Sequence, residues 1–212
     1  QISGLGLDGD GVRIGFIDTG IDPSHPDLAG KLMAWAEFDD IGEVIGSEPH
    51  ETHPRGHGTH VASVLAGDTT GIAPAAGLLA VMALPEGHGT TEQVLAGMQW
   101  IIDPDDDAGT DDGARIVNMS WGSNGLSAVL NEAVENMAAA GVLPVCSIGN
   151  LGPGGTMSPG NAPKAIGVGA MAQYNAVAAY SGGGKVCWTA ENCLTKPDMV
   201  APGSSIPGIG VG

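Results

Sequence analysis

The chain has 212 residues, which is long enough for one large domain with a substantial core. Its 24 acidic residues against 7 lysines and arginines give a net charge of −17, so the surface would repel nucleic acid and anionic membranes. The sequence has no run of about 18 apolar residues, and it therefore predicts no membrane-spanning helix.

The first predicted element is a buried strand at residues 12–17, and Asp18 follows directly at its end. A carboxylate at the carboxyl end of a parallel strand lies where open α/β sheets place their chemistry. Residues 36–56 are polar, acidic and rich in Gly and Pro, which predicts a surface loop. A helix is expected to begin at about Thr59.

The rest of the chain alternates between apolar runs and amphipathic stretches. Further strands are predicted at residues 78–84, 116–120, 142–146 and 165–170, with helices at 90–102 and 126–140. This alternation predicts a doubly wound α/β fold, in which helices cover both faces of a mostly parallel sheet. Because no internal repeat or linker interrupts it, residues 1–212 are expected to form a single domain.

Four histidines lie within eleven residues: His50, His53, His57 and His60. A zinc site needs His-Glu-x-x-His on one helical face, but here the two histidines that flank Glu51 are one residue too close, and Pro54 would break the helix. The alternative is a loop-to-helix junction that fixes His57 on one side and exposes it on the other, which suits a general base near neutral pH. His60 then lies one turn into the helix, as a packing or supporting residue.

An acidic loop at residues 103–113 superficially resembles a calcium-binding loop. The positions that such a loop requires for glycine and for a bidentate glutamate are Ala108 and Ala114 here, so the match fails. We expect a solvated loop, with structural calcium as the second interpretation. No catalytic cofactor is predicted, and the metal ligands are left unassigned.

The chain has three cysteines, at positions 146, 187 and 193. Cys187 and Cys193 flank a short polar loop and could form a local disulfide in an oxidising compartment, which would leave Cys146 free. Three unpaired thiols are the alternative.

Three polar residues fall at the end of a predicted strand or the start of a predicted helix, namely Asp18, His57 and Asn150. In an open α/β sheet this places them along one edge. A carboxylate there can accept a proton from the histidine Nδ1, and an asparagine amide can donate to a developing oxyanion.

Five segments resemble, in family order, the signature blocks of the subtilisin-like serine proteases: Asp18-Thr19-Gly20, residues 57–62, residues 118–122, Gly149-Asn150 and residues 196–203. The resemblance implies a secreted serine endopeptidase that works through an acyl-enzyme, in its mature form after removal of a propeptide. It implies Asp18 as the orienting carboxylate, His57 as general base and then acid, and Asn150 as the oxyanion donor.

The resemblance also implies how a peptide or protein substrate binds. One strand, formed by Ser120, Trp121 and Gly122, would pair with the substrate backbone. An edge strand on the other side of the substrate would comprise Gly87, His88 and Gly89. Pocket walls would come from residues 156–158 and from Ser147, Ile148 and Gly149. Met157 would limit the pocket's depth and favour medium-sized apolar residues, although simple loop packing explains Met157 equally well.

Two departures from the family pattern affect the expectations. The loop at residues 67–70 is shorter than the calcium-binding version of many relatives. The family's nucleophilic serine begins a long central helix, and no such block occurs before Gly212; Ser204 and Ser205 are poor substitutes because they align with the preceding strand. Because loss of that helix would expose several apolar faces, we expect the domain to be incomplete at its C-terminal end. The remaining segment would follow Gly212 or stay bound as a separate chain.

Two other functions are compatible with parts of this sequence. An aspartic protease would use Asp18-Thr19-Gly20, but it needs a second such motif and an all-β fold. A catalytically inactive subtilisin-like scaffold or binding domain is the stronger rival. Besides the substrate and the C-terminal segment, the expected partners are a propeptide or a protein inhibitor, with no nucleic acid and no membrane.

Overall fold

The computed structural model describes residues 5–210 and divides the chain into two compact units. Unit 1 comprises the described residues up to Asn118 together with those from Pro207 onwards, and unit 2 comprises Met119–Ile206. The expectation of a single domain stays a prediction. The expectations that concern the two ends of the chain, Gln1 and Gly212, lie outside the described residues.

Unit 1 is built on parallel strands with two helices. Its elements are β1 (Arg13–Asp18), β2 (Leu32–Phe38), β3 (Val44–Ile45), α1 (His57–Ala66), β4 (Gly77–Met82), α2 (Thr91–Trp100) and β5 (Ile116–Met119). The strand order within this unit is β3-β2-β4-β1-β5, and only the short β3 is antiparallel to its neighbour.

Alternation along β1 explains why one helix covers each face of this sheet. Ile14 and Phe16 belong to a buried cluster with Ala62 and Ala66 of α1. Gly15, which lies between them, faces the other side of the sheet. A Cβ on Gly15 would lie 2.5 Å from the side chain of Ile101, the residue that directly follows α2. Helices on both faces of a parallel sheet are what the sequence pattern predicts, and the predicted fold class is confirmed.

Unit 2 contains β6 (Ser123–Asn124), α3 (Ala128–Ala139), β7 (Leu143–Ser147), β8 (Met157–Ser158), β9 (Ile166–Met171), β10 (Gly184–Cys187), β11 (Cys193–Lys196) and β12 (Met199–Pro202). Strands β7, β9 and β12 run parallel, whereas β6–β8 and β10–β11 form antiparallel pairs. Cys187 and Cys193 form a disulfide across the β10–β11 pair, and Cys146 is a buried free thiol. The alternative of three unpaired thiols is therefore wrong.

The prediction of one continuous surface loop over residues 36–56 is wrong in part. Residues 36–38 complete β2, and Val44–Ile45 form β3. The strand β2 is short of β-branched residues and shifts its register near Met33, so its sequence carries little strand signal. None of the described helices is both long enough and apolar enough to cross a membrane.

Candidate active site

The end of β1 and the start of α1 bring Asp18 and His57 together. Asp18 is fully buried, whereas 46% of the His57 side chain is exposed. The His57 Nδ1 atom lies 2.6 Å from Asp18 Oδ1, and the same oxygen accepts the Thr19 backbone N–H at 2.8 Å. With the Nδ1 proton held by the carboxylate, Nε2 is the nitrogen that remains able to accept a proton.

The electrostatics of this pair favour the charged imidazole. The hydrogen bond that His57 donates to Asp18 raises the pKa of His57, burial opposes the rise, and the negative charges of Asp18 and Glu51 add to it. Asp18 Oδ2 is buried and has no hydrogen-bond partner within residues 5–210. The pair can therefore stabilise the imidazolium that forms when His57 takes up a proton.

Two glycines allow the start of α1 to approach the end of β1. A Cβ on Gly58 would lie 2.1 Å from the Gly20 carbonyl oxygen, and a Cβ on Gly20 would lie 2.1 Å from the carbonyl oxygen of His50. Gly20 also has a φ of +117°, which side chains rarely adopt. Only glycine at these positions lets the backbone pack closely enough to join His57 to Asp18.

Glu51 forms hydrogen bonds with residues at both the end of β1 and the start of α1, although the sequence pattern alone predicts no role for it. Its Oε1 accepts hydrogen bonds from Thr19 Oγ1 at 2.6 Å and from His53 N at 2.9 Å. Its Oε2 accepts them from Thr59 N at 2.7 Å and from Thr59 Oγ1 at 2.9 Å. One sequence signal is consistent with a capping role. Gly56 precedes α1 and offers no capping side chain, and Glu51 is an acidic residue shortly before this helix that could take that place.

The other histidines of the cluster have separate surroundings. The His50 ring contacts the Trp35 ring, and the His53 ring meets the His57 ring edge-on at a centroid distance of 6.1 Å. His60 packs beside Gly208, where a Cβ would lie 2.5 Å from its ring. Among the described residues, no histidine belongs to a group of three potential metal ligands. The local geometry therefore favours the loop-to-helix interpretation.

In unit 2, Met157 packs against two glycines of the predicted substrate site. A Cβ on Gly149 would lie 2.5 Å from Met157 Cγ and Sδ, and a Cβ on Gly122 would lie 2.9 Å from Met157 Cβ. Ser120 and Trp121 lie in the segment between β5 and β6, and Ser147 ends β7 ahead of Ile148. The expected pocket segments of this unit thus meet at Met157.

Asn150 is exposed and directly follows Gly149, whose φ is +93°. In unit 1, Gly87, His88 and Gly89 do not form the expected strand: Gly87 ends a short 3₁₀ helix, and His88 has extended backbone angles of −134° and 144°. The roles of these residues in binding stay predictions.

Three carboxylates of the acidic loop come together at Asp103, Asp105 and Asp112. Each offers one oxygen, and these oxygens lie within 4.8 Å of one another. Burial, followed by the charge of Asp105, raises the pKa of Asp103. This grouping of hard oxygen donors has the ligand chemistry that calcium prefers.

Comparison with known proteins places these features in a family. The sequence profile of the Subtilase family matches residues 9–211. Subtilisin Savinase from Lederbergia lenta is 35% identical over 207 residues, covering 95% of this chain and 67% of that protein. Minor extracellular protease Vpr from Bacillus subtilis (strain 168) is 38% identical over 180 residues, covering 78% of this chain and 21% of that protein.

A solved structure agrees with the sequence relatives. The crystal structure of a cold adapted subtilisin-like serine proteinase matches with a TM-score of 0.76 and 27% identity, over 96% of this chain and 67% of the other. The chain thus spans about a fifth of Vpr and two thirds of Savinase and of the solved proteinase. Its sequence, its parallel sheet and its helices agree on one assignment. The chain belongs to the subtilase family.

Proposed function

We propose that the protein is a serine endopeptidase that hydrolyses peptide bonds of extended polypeptides, with Asp18 and His57 as two members of its triad. The observation that carries this proposal is the 2.6 Å hydrogen bond between the buried Asp18 carboxylate and the half-exposed His57 ring. The third member would be a serine in the polypeptide that follows Gly212. The 212 residues by themselves would then not turn over substrate.

In the proposed mechanism, His57 Nε2 takes the serine hydroxyl proton while the serine oxygen attacks the carbonyl carbon of the scissile bond. The Asn150 amide donates a hydrogen bond to the resulting oxyanion, and loss of such a donor costs about 10²- to 10³-fold in kcat in subtilisin itself. His57 then gives its proton to the leaving amine. Water repeats the sequence to release the acyl group.

The substrate would bind as an extended chain through main-chain hydrogen bonds. Residues 120–122 would supply one partner strand, and residues 87–89 would supply backbone partners from their extended segment. Met157 would form the base of the pocket for the side chain before the scissile bond. Its contacts with Gly122 and Gly149 support this role and predict a preference for medium-sized apolar side chains.

Calcium is the metal that the acidic loop would take, in a structural role. Asp103, Asp105 and Asp112 would hold it, and the ion would neutralise the repulsion among their charges. The buried Asp103 Oδ1, which has no hydrogen-bond partner among the described residues, supports this assignment. None of the proposed chemical steps requires the metal.

The proposed location is extracellular, in a mature form that follows removal of a propeptide. The Cys187–Cys193 disulfide supports an oxidising exterior, and the net charge of −17 fits the solvated surface of a secreted protein. A propeptide or a protein inhibitor would bind as a substrate-like partner.

Labelling with a fluorophosphonate tests the proposed function directly. The complete polypeptide that carries this sequence is treated with the probe, and the modified residue is identified by peptide mass spectrometry. We expect one labelled serine, and labelling should be lost in His57→Gln but kept in His50→Gln. A folded protein that takes no label would instead be a subtilase-like binding scaffold.

A further inference from the structure

Helix α1 begins without a capping side chain of its own. Its N-cap residue is Gly56, at a φ of 63°, and no acidic residue occurs in its first turn. The first backbone N–H groups of a helix have no partner within the helix and carry its positive dipole end. Helix α1 starts at His57, so the position of the His57 ring depends on how firmly these N–H groups are held. They need hydrogen-bond acceptors from outside the helix.

Two side chains from outside the helix hold these groups. Thr19 Oγ1 accepts the Gly58 N–H at 2.9 Å, and Glu51 Oε2 accepts the Thr59 N–H at 2.7 Å. The Thr19 hydroxyl donates in turn to Glu51 Oε1. Thr19 is the residue after Asp18, so the end of the Asp18 strand and the start of the His57 helix share one carboxylate.

We propose that Glu51 is a positioning residue for the proposed proteolysis: it caps the helix of His57, fixes that helix to the strand of Asp18, and supplies a second negative charge to the pair. This inference rests on the proposed function. It assigns a role to Glu51, which in the sequence appears only as the glutamate of an incomplete His-Glu-x-x-His zinc motif.

The surroundings support an ionised Glu51. Burial disfavours its charged form, but four hydrogen bonds from Thr19, His53 and Thr59 outweigh burial and hold the pKa of Glu51 below its usual value. Among the described residues of unit 1, Asp18 on β1 and His53 in the preceding loop also face His57.

Two substitutions separate charge from position. Glu51→Gln removes the charge and turns an amide donor towards Thr19 or Thr59, whereas Glu51→Asp keeps the charge but is one methylene too short to reach both threonines. Glu48→Gln is the control, because Glu48 is exposed in the same loop. All three are made in the complete polypeptide, and kcat, KM and the titration of the His57 ring by NMR are measured.

We expect Glu51→Gln to lower kcat by about tenfold or more, with KM within about twofold, because a misplaced base slows the chemical step more than binding. Its His57 titration should move to lower pH, and the acid limb of kcat/KM should move with it. Glu51→Asp should lower kcat without moving the titration. If Glu51→Gln does not fold, Glu51→Asp carries the test.

The inference is overturned if Glu51→Gln matches Glu48→Gln in kcat or in the titration of His57. Where only Glu51→Asp folds, the inference is overturned if that variant matches Glu48→Gln in kcat. Failure of the proposed function is a different result: no serine takes the fluorophosphonate, while the NMR titration of His57 still reports whether Glu51 acts on it.

Discussion

The Asp18–His57 pair illustrates how burial and hydrogen bonding divide the work between two residues. Asp18 is fully buried and accepts the hydrogen bond of His57 Nδ1, so it fixes which nitrogen of His57 carries the proton. His57 keeps almost half of its side chain exposed and can exchange a proton with a bound group. A raised pKa makes His57 a stronger base, but it also delays deprotonation to higher pH.

The raised pKa of His57 predicts the pH dependence of activity. Because the neutral ring is the base, kcat/KM should rise with pH through a midpoint above 6.5, the ordinary value for histidine. The stability that the charged ring gives to the fold falls with pH, whereas activity rises. This stabilisation is complete below pH 6.5 and is lost as pH rises through the folded-state pKa of His57. A pH–rate profile of the complete polypeptide checks the first statement.

If Asp18 is the proposed orienting carboxylate, Asp18→Asn should lower kcat on the order of 10⁴-fold, the size known for this change in the Asp-His-Ser triad of chymotrypsin-type proteases. The amide can no longer hold the required tautomer, and the acid limb should move to lower pH. Steady-state kinetics measure both effects. An equal loss in Asp10→Asn, at an exposed aspartate of the same unit, would show that the effect is not specific.

Met157→Ala predicts a change in specificity. Removal of the side chain that packs against Gly122 and Gly149 should deepen the proposed pocket and raise the kcat/KM ratio of phenylalanyl over alanyl substrates by about 10-fold or more. Peptide substrates that differ only before the scissile bond measure the ratio. Met33→Ala, at an exposed methionine, is the control, and an unchanged ratio would leave Met157 as simple loop packing.

At the scale of the elements, the buried Asp27 side chain holds the short loop after α1. Asp27 is buried, and its Oδ1 accepts hydrogen bonds from Thr69 N at 2.7 Å and from Thr69 Oγ1 at 2.6 Å. Its Oδ2 accepts one from Thr70 Oγ1 at 3.0 Å. Burial works against ionisation, but these bonds outweigh burial and lower the pKa of Asp27.

Asp27→Asn should destabilise the fold by about 2 kcal/mol, because an amide replaces an acceptor-only group among buried donors. Since the folded-state pKa of Asp27 is lowered, its contribution is present above pH 3.8 and is lost as pH falls through the folded-state value. Urea unfolding at neutral pH measures the change. Asp68→Asn removes an ion pair between an exposed carboxylate and the partly buried Lys31, which keeps its hydrogen bond to the Pro74 carbonyl oxygen, and should change stability by less than about 1 kcal/mol.

At the scale of the whole molecule, the net charge of −17 repels itself and makes stability depend on cations. Salt should raise the unfolding temperature by screening this repulsion, independently of any specific site. A bound calcium ion would add a contribution that saturates with its own dissociation constant.

Calcium should therefore raise the Tm at constant ionic strength. The stabilisation should reach about 2.7 kcal/mol once free calcium is about 100 times its Kd, and chelation should reverse it. Differential scanning calorimetry with magnesium as the matched salt measures the effect. Asp112→Asn should abolish the increment and Asp106→Asn, in the same loop, should not; equal responses in both variants would count against the proposed ligands.

The sequence by itself determined the family and most of the regular elements. The apolar signal is strong in β1 and β4, which are continuous apolar runs buried on both faces, and in α2, where apolar residues recur at helical spacing. The order of these elements therefore follows from local chemistry. The blocks around Asp18 and His57 identify the family because each keeps several residues that close packing requires, such as Gly20 and Gly58.

The tertiary structure alone decided which side chains meet. Strand β2 is weak in local signal and forms because β4 supplies backbone partners along its length. The role of Glu51 cannot be predicted from the sequence around it. Its four hydrogen-bond donors belong to Thr19, His53 and Thr59, and Thr19 is 32 residues away along the chain. Hydrogen bonds between distant residues depend on the folded path of the chain, and no local pattern encodes that path.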